Sequence, residues 1–349
     1  MQLSTLTLRL AFNASYREKV WRKLATQISH GLGLYRCIEN LASRSQAKGE
    51  VVANAYEQLL ENNAAGGSLA EGLAPLATPS EIMLISAGEQ DNLAQGLFLA
   101  ADLLKNQGLI KKQVWQSTAY PCFLFLLLGL LLLIIAHLLV PQFAAILPEG
   151  SLQGAGQALF SLAHVVSSWL GLGLLGTLIC LMALIAYSLP RLTGEWRKIL
   201  DRYPPWSVYR EVVGASFLYT LSLMLSLGVK PREIFAWLLD QPGQTPYLKE
   251  RIMGIDNEMA LGKNLGQALD DAGFEFPGPT VIDDLLVYSE LPNFEKQIGQ
   301  IAREELEACV ETVRSKLKTL QIILLFLVVG LIFFVLVALG SLQQALGYL

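Results

Sequence analysis

Between Gln113 and Pro148 the chain carries no Asp, Glu, Lys or Arg. After the single Glu149, charge is absent again until Arg191, and a third charge-free stretch runs from Thr319 to Leu349. Each stretch holds an apolar run of lipid-crossing length. Ala119–Val140 (AYPCFLFLLLGLLLLIIAHLLV) rises about 33 Å as a helix, enough for a hydrocarbon core of roughly 30 Å. Runs at about Ser168–Leu189 and Leu320–Gly340 are of similar length. Helix is the expected form, because an isolated segment in lipid must satisfy its backbone hydrogen bonds internally. The competing reading, three buried helices of a large soluble protein, does not account for the basic residues. All 26 Lys and Arg fall within 1–112 and 191–318. By the positive-inside rule both large segments are cytoplasmic, the loop between the first two spans is outside, and three spans place the C-terminus outside.

Composition agrees. Hydrophobic residues make up 53% and charged residues 16%, against roughly 25% charged in an ordinary soluble domain. A net charge of -4 supplies no positive field for nucleic acid. Cys37, Cys122, Cys180 and Cys309 lie far apart without metal-ligand spacing. The N-terminal MQLSTLTLRLAFNASYREK reads as no cleaved signal peptide.

The two cytoplasmic segments repeat one order of features. Apolar residues recur at helical spacing in VWRKLATQISHGL and FLYTLSLMLSLGV. Helix ends are expected at Leu32-Gly33-Leu34 and Leu227-Gly228-Val229, with the glycine as C-cap. Helix starts follow at Ser68-Leu69-Ala70-Glu71 and Asn264-Leu265-Gly266-Gln267. Pro79 and Pro277 punctuate a turn. Gly88-Glu89-Gln90-Asp91-Asn92-Leu93 then lines up with Ser289-Glu290-Leu291-Pro292-Asn293-Phe294, ahead of a basic approach to a span. A duplicated helical unit with a membrane anchor is the economical reading. The fold class is an all-α membrane protein, with two homologous cytoplasmic helical bundles of about six helices each and three transmembrane helices. The expected boundaries are 1–118 for the first bundle, 119–140 for the first span, 141–167 for a short periplasmic loop and 168–189 for the second span. The second bundle takes 190–318, the third span 319–341 and a periplasmic tail 342–349. The stretch Leu152–Val166 is expected to lie along the outer interface.

This architecture resembles the type II secretion F protein and type IV pilus inner-membrane platform family, over about residues 15–342. The resemblance rests on the paired Leu-Gly-Leu/Val, Ser/Asn-Leu and Gly/Ser-Glu elements, on Tyr120-Pro121 at the first span entry and on Val140-Pro141-Gln142-Phe143 with Leu147-Pro148 at its exit. Tyr203-Pro204-Pro205 with Tyr209-Arg210 adds to it. Departures are Ser289 for glycine, Pro292 within the second motif and no proline at the outer end of the third span. They are similar to type IVb or conjugative thin-pilus versions. The resemblance implies an inner-membrane platform that couples a cytoplasmic hexameric assembly ATPase to the extraction and polymerisation of pilin or pseudopilin subunits. It further implies contact with pilin transmembrane helices and other inner-membrane assembly proteins, and a homodimer in the bacterial inner membrane with its N-terminus cytoplasmic and its C-terminus periplasmic.

Candidate partner-binding residues are Gly88, Glu89, Asn92 and Leu93 in the first copy and Glu290, Asn293 and Phe294 in the second; Tyr120, Pro121, Pro141 and Phe143 form the membrane-boundary motif. Glu89 and Glu290 have two readings, a cap on a neighbouring helix N-terminus or a docking surface for the motor. The pairs Asp270-Asp271 and Asp283-Asp284 lack a calcium-loop pattern and read as solvated faces or caps. His30, His137 and His164 form no catalytic set, and His137 reads as an interfacial anchor. There is no P-loop signature. No catalytic residue, metal or cofactor is expected. Gly129, Gly171, Gly173, Gly176 and Gly330 could let membrane helices approach closely. The alternatives are a small transporter or channel subunit, which would need polar residues lining a path through the spans, and a membrane enzyme, which would need a clustered catalytic set.

Overall fold

The computed structural model describes residues 8, 11–144, 154–240, 244–290 and 294–347, and every described element is helical. The chain divides into two compact units. One is formed by 1–112 with 191–310, the other by 113–190 with 311–349. All but one of the ionic side chains lie in the first unit, or at the start of the helix that leaves it, so the split follows the charge pattern.

In the charged unit the first copy runs through α1 (Ala14–Ser29), α2 (Leu34–Ala47), α3 (Ala53–Ala64), α4 (Leu69–Leu73) and α5 (Pro79–Gln90). It continues into α6 (Leu93–Ile134). Asn13 caps α1 by accepting from the Tyr16 N–H at 3.0 Å, and Ser68 with Glu71 forms a reciprocal capping box at α4. Trp21, Leu24, Ile38, Tyr56, Leu73 and Leu84 fill the core. Phe12 stacks edge-on against both Trp21 and Tyr56.

The second copy follows α7 (Val140–Ala144), α8 (Ala155–Ser167), α9 (Trp169–Arg191) and a short α10 (Glu195–Leu200). It comprises α11 (Trp206–Ser226), α12 (Pro231–Asp240), α13 (Pro246–Ala260), α14 (Leu265–Asp271), α15 (Pro279–Tyr288) and α16 (Phe294–Gly347). Asn264 and Gln267 repeat the capping box at α14, in register with Ser68 and Glu71. Two other pairings shift. Gly228 closes α11 with φ +77°, the Val229 N–H reaching back to the Met224 carbonyl. In the first copy that role belongs to Gly31 at φ +87°, with the Leu32 N–H bonded to the Gln27 carbonyl. Gly33 is extended and caps the start of α2 instead. Only a positive φ demands glycine here, so the Leu-Gly-Leu spelling points two residues too late. Likewise Pro79 and Pro279 each open a helix at the first position, so Pro79 pairs with Pro279 and not with Pro277.

The apolar unit is built on α6 and α16, which leave the bundles as uninterrupted helices. Leu93–Gln142 and Gln297–Ser341 each contain a stretch long and apolar enough to cross a membrane, and Gly176–Arg191 is a shorter apolar helix among the described residues. Ile135, Leu159 and Ala338 form its buried centre, with Leu131, Phe160 and Phe334 packed around them. Residues 135–139 wind as a π-turn, the Val140 N–H donating to the Ile135 carbonyl. Pro141 supplies the reason: it has no N–H for the His137 carbonyl, and its ring crowds that carbonyl in a regular helix. The expected interfacial stretch 152–166 appears as α8 from Ala155 onward, its earlier residues lying outside those described. A Cβ on Gly171 would strike the Val165 carbonyl at 2.4 Å in the turn between α8 and α9, whereas Gly129, Gly173, Gly176 and Gly330 face open space within one chain.

Candidate functional site

The first-copy motif forms the hairpin between α5 and α6. Gly88 and Gly96 face each other across it, and a Cβ on Gly88 would lie 2.7 Å from the Gly96 Cα, so neither helix could carry a side chain at the crossing. Asn92 caps α6, its Oδ1 accepting from the Gln95 N–H at 3.1 Å. Half-buried Glu89 reaches across to α4 and accepts from the Leu69 N–H at 2.6 Å. A carboxylate on that free N–H is a charge-assisted cap in the favourable sense of the helix dipole. Leu93 opens α6 half-buried. The four residues thus lie together on one turn. In the second copy Glu290 is exposed in the turn after α15, Phe294 begins α16, and Asn293 lies outside the described residues. Pro121 is buried inside α6 with Tyr120 exposed beside it, so the helix runs through the expected span entry. Pro141 is exposed in α7, where the side chain of Phe143 lies outside those described.

A polar centre that the sequence reading passed over lies beneath this hairpin. Glu81, fully buried, accepts from Arg17 Nε and Nη2, both at 2.9 Å. It also accepts from Trp21 Nε1 at 2.8 Å, the Thr78 N–H at 2.9 Å and the Thr78 hydroxyl at 2.7 Å. Five donors on two oxygens offset the desolvation of the ion pair. Thr78-Pro79-Ser80-Glu81 spells a capping box, and that was the available signal; nothing local announces that Arg17 lies on the other side. In the register set by Gly31 and Gly228 and by Pro79 and Pro279, the second copy has Gly214 for Arg17, Leu218 for Trp21 and Val281 for Glu81. It packs the same place with apolar atoms, Gly214 meeting the Pro277 backbone.

The second copy keeps its own ionic centre between α10 and α13. Buried Asp201 sits 3.0 Å from Arg197 Nε and 3.2 Å from Arg251 Nη2, and accepts from the Tyr247 hydroxyl at 3.2 Å. Arg197 lies over the Tyr247 and Tyr209 rings at 4.3 and 5.4 Å, and Arg251 over Tyr247 at 3.9 Å. Burial pushes the Asp201 carboxyl up, and Arg197 and Arg251 pull it back. On α16, burial raises Glu305 to about 6, with Glu211 and Asp284 adding to the rise. A cleft of about 280 Å³ between α6, α11 and α16 is lined by Asp102, Lys105, Asn106, Tyr219, Arg303 and Glu307. Burial raises the Tyr219 hydroxyl there, helped by Asp102. Its charges are mixed. No group of three His, Cys, Asp or Glu able to hold a metal occurs among the described residues. Asp271 pairs with Lys263 at 2.7 Å.

Comparison with known proteins places this architecture. The model of the type II secretion system protein F family matches twice, at residues 21–141 and 217–341. Each match takes in one bundle and the apolar helix that leaves it. The chain is 22% identical to the toxin coregulated pilus biosynthesis protein E of Vibrio cholerae, covering 91% of this chain and 94% of that protein. It is 24% identical to the type IV pilus assembly protein PilC of Myxococcus xanthus, covering 88% and 76%, and 25% identical to that of Thermus thermophilus, covering 89% and 78%. No solved structure matches. Because the family match falls on both copies and spans most of the chain, this chain belongs to the type II secretion system protein F family.

Proposed function

We propose that the chain is the inner-membrane platform of a type IV pilus biogenesis or type II secretion machine, coupling a cytoplasmic hexameric assembly ATPase to the extraction and polymerisation of pilin subunits. The observation that carries the reading is the double family match, joined to near end-to-end similarity with a pilus biosynthesis protein. The layout supports it. Two ionic bundles offer surface to a soluble motor, and each bundle's last helix continues into an apolar stretch that can meet pilin helices. The protein is no enzyme on this reading, and the work comes from ATP hydrolysed by the partner. Three spans leave the N-terminus cytoplasmic and the C-terminus periplasmic, and a dimer would match a symmetric motor. Glu89 and Glu290 keep a place in the docking surface through their turns, Glu89 as the residue that shapes its turn and Glu290 as an exposed charge.

The test uses the full chain in lipid vesicles with the assembly ATPase of the same organism. Saturable binding and an altered hydrolysis rate are expected. A correctly inserted protein that neither binds the motor nor changes its rate would refute the reading. Reporter fusions after Leu349 should behave as periplasmic and those near Gly243 as cytoplasmic, and the reverse would overturn the topology.

A further inference from the structure

One short segment reverses the usual sidedness of a surface helix. Helix α10 and the turn after it direct Arg197 and Asp201 into the interior, where Arg251 and Tyr247 hold Asp201. The other edge carries Trp196, Ile199 and Tyr203, at 77%, 56% and 63% exposure. The helix ends at Leu200 and the chain turns after it, the Tyr203 N–H donating to the Leu200 carbonyl at 2.9 Å. At helical spacing Trp196 and Ile199 lie about 60° apart on one side, and Tyr203 follows in the turn, exposed like them. A helix facing water puts its apolar stripe inward and its charges outward. Here the buried ionic centre locks the reverse arrangement, and an aromatic and aliphatic stripe is held outward.

The chain's course says what covers it. Exposed Trp169 and Tyr187 bracket roughly 27 Å of α9, close to the hydrocarbon thickness, and Trp and Tyr concentrate at both edges of a bilayer. Tyr187 and Arg191 therefore mark the cytoplasmic edge, given that α9 crosses the membrane. Trp196 follows Arg191 by at most about 17 Å of extended chain, within reach of the lipid headgroups. With Arg197 and Asp201 buried against each other, the segment from Arg191 to Tyr203 leaves the bases Arg191, Lys198 and Arg202 against the one acid Glu195. Arg202 is exposed, with Glu275 3.6 Å away, and Lys198 pairs with Glu195 at 2.9 Å. An anionic lipid surface complements that balance.

We propose that Trp196, Ile199 and Tyr203 form a foot seated on the cytoplasmic leaflet, with Arg191 and Arg202 on lipid phosphates. Through Arg197, Asp201 and Arg251 this foot ties the second bundle to the membrane surface. The inference rests on α9 being a span, and it needs neither the motor nor the pilin.

The experiment reconstitutes the full chain in phosphatidylcholine and phosphatidylglycerol vesicles whose acyl chains are brominated near the headgroup, and compares it with Trp196→Phe. The emission that disappears in the variant belongs to Trp196, and it is expected to be strongly quenched by the brominated lipid. Ile199→Glu, on the exposed face, should leave the protein in the vesicle while its Trp196 emission loses that quenching and shifts to the red. An unquenched Trp196 component would overturn the proposal: a red emission would place the ring in water, and a blue one that grows with protein-to-lipid ratio would place it against a second copy. Either result leaves the motor-binding test unaffected, and failure of that test leaves this one standing.

Discussion

Removing both members of the Arg17–Glu81 pair should cost less than the two single removals added together. Glu81 holds five hydrogen bonds in a fully buried position. Arg17→Met leaves a buried carboxylate facing neutral donors only, and Glu81→Gln leaves a buried guanidinium without its counter-ion. Breaking a buried pair from one side costs about 3–5 kcal/mol. The double variant Arg17→Met/Glu81→Gln removes both charges. The glutamine carbonyl can still accept from Thr78, which leaves Trp21 Nε1 and the Phe12 carbonyl, now bonded to Arg17 Nη1 at 2.7 Å, to find other partners. Each of these two groups costs about 1–3 kcal/mol, but each single change already leaves one of them beside its uncompensated charge, so the double variant costs less than the two single changes summed. The assay is thermal unfolding of the full chain in detergent, followed by circular dichroism and tryptophan emission. At roughly 2–4 °C per kcal/mol for a unit of this size, each single variant should melt about 6–20 °C lower, with the double variant losing clearly less than the two single losses summed. Single effects that simply add in the double variant, within about 0.5 kcal/mol, would refute the argument that each charge is tolerated only because of the other.

Three further outcomes follow from the same geometry. Glu89→Ala should cost about 0.5–2 kcal/mol as a lost cap and speed hydrogen exchange at the Leu69 amide; unchanged exchange there would deny the cap. Gly88→Ala should cost about 1–3 kcal/mol by forcing α5 and α6 apart, whereas Gly108→Ala, which meets open space on the same helix as Gly96, should gain up to about 1 kcal/mol; equal melting temperatures would rule out the close crossing. Glu305, raised to about 6 by burial and by Glu211 and Asp284, keeps its proton longer in the folded protein than in the unfolded chain. Stability should therefore fall as pH rises from the ordinary carboxylate range through 6, and Glu305→Gln should remove that fall and stabilise the protein at pH 7 by up to about 2 kcal/mol. A variant with the parent's pH profile would show that the carboxyl is solvated.

Much of the fold is legible in the sequence because its causes are local. A charge-free run of lipid length must be helical whatever surrounds it. The capping boxes at Ser68–Glu71 and Asn264–Gln267 are stated by residues three apart, and two proline-opened helices mark the repeat. The spelling misleads where conformation decides: Gly33 looks like the cap, but the positive φ falls on Gly31, since a helix end is set by where packing stops and not by which glycine sits beside a leucine. The long-range pairs could not be read at all. Arg17 and Glu81 lie 64 residues apart, and Asp201 and Arg251 lie 50 apart; only the folded bundle removes them from water and makes each necessary to the other. The same holds for the outward face of α10. Its direction is decided in three dimensions, because a buried Asp201 with two arginines fixes one side of the helix inward and leaves Trp196, Ile199 and Tyr203 the other.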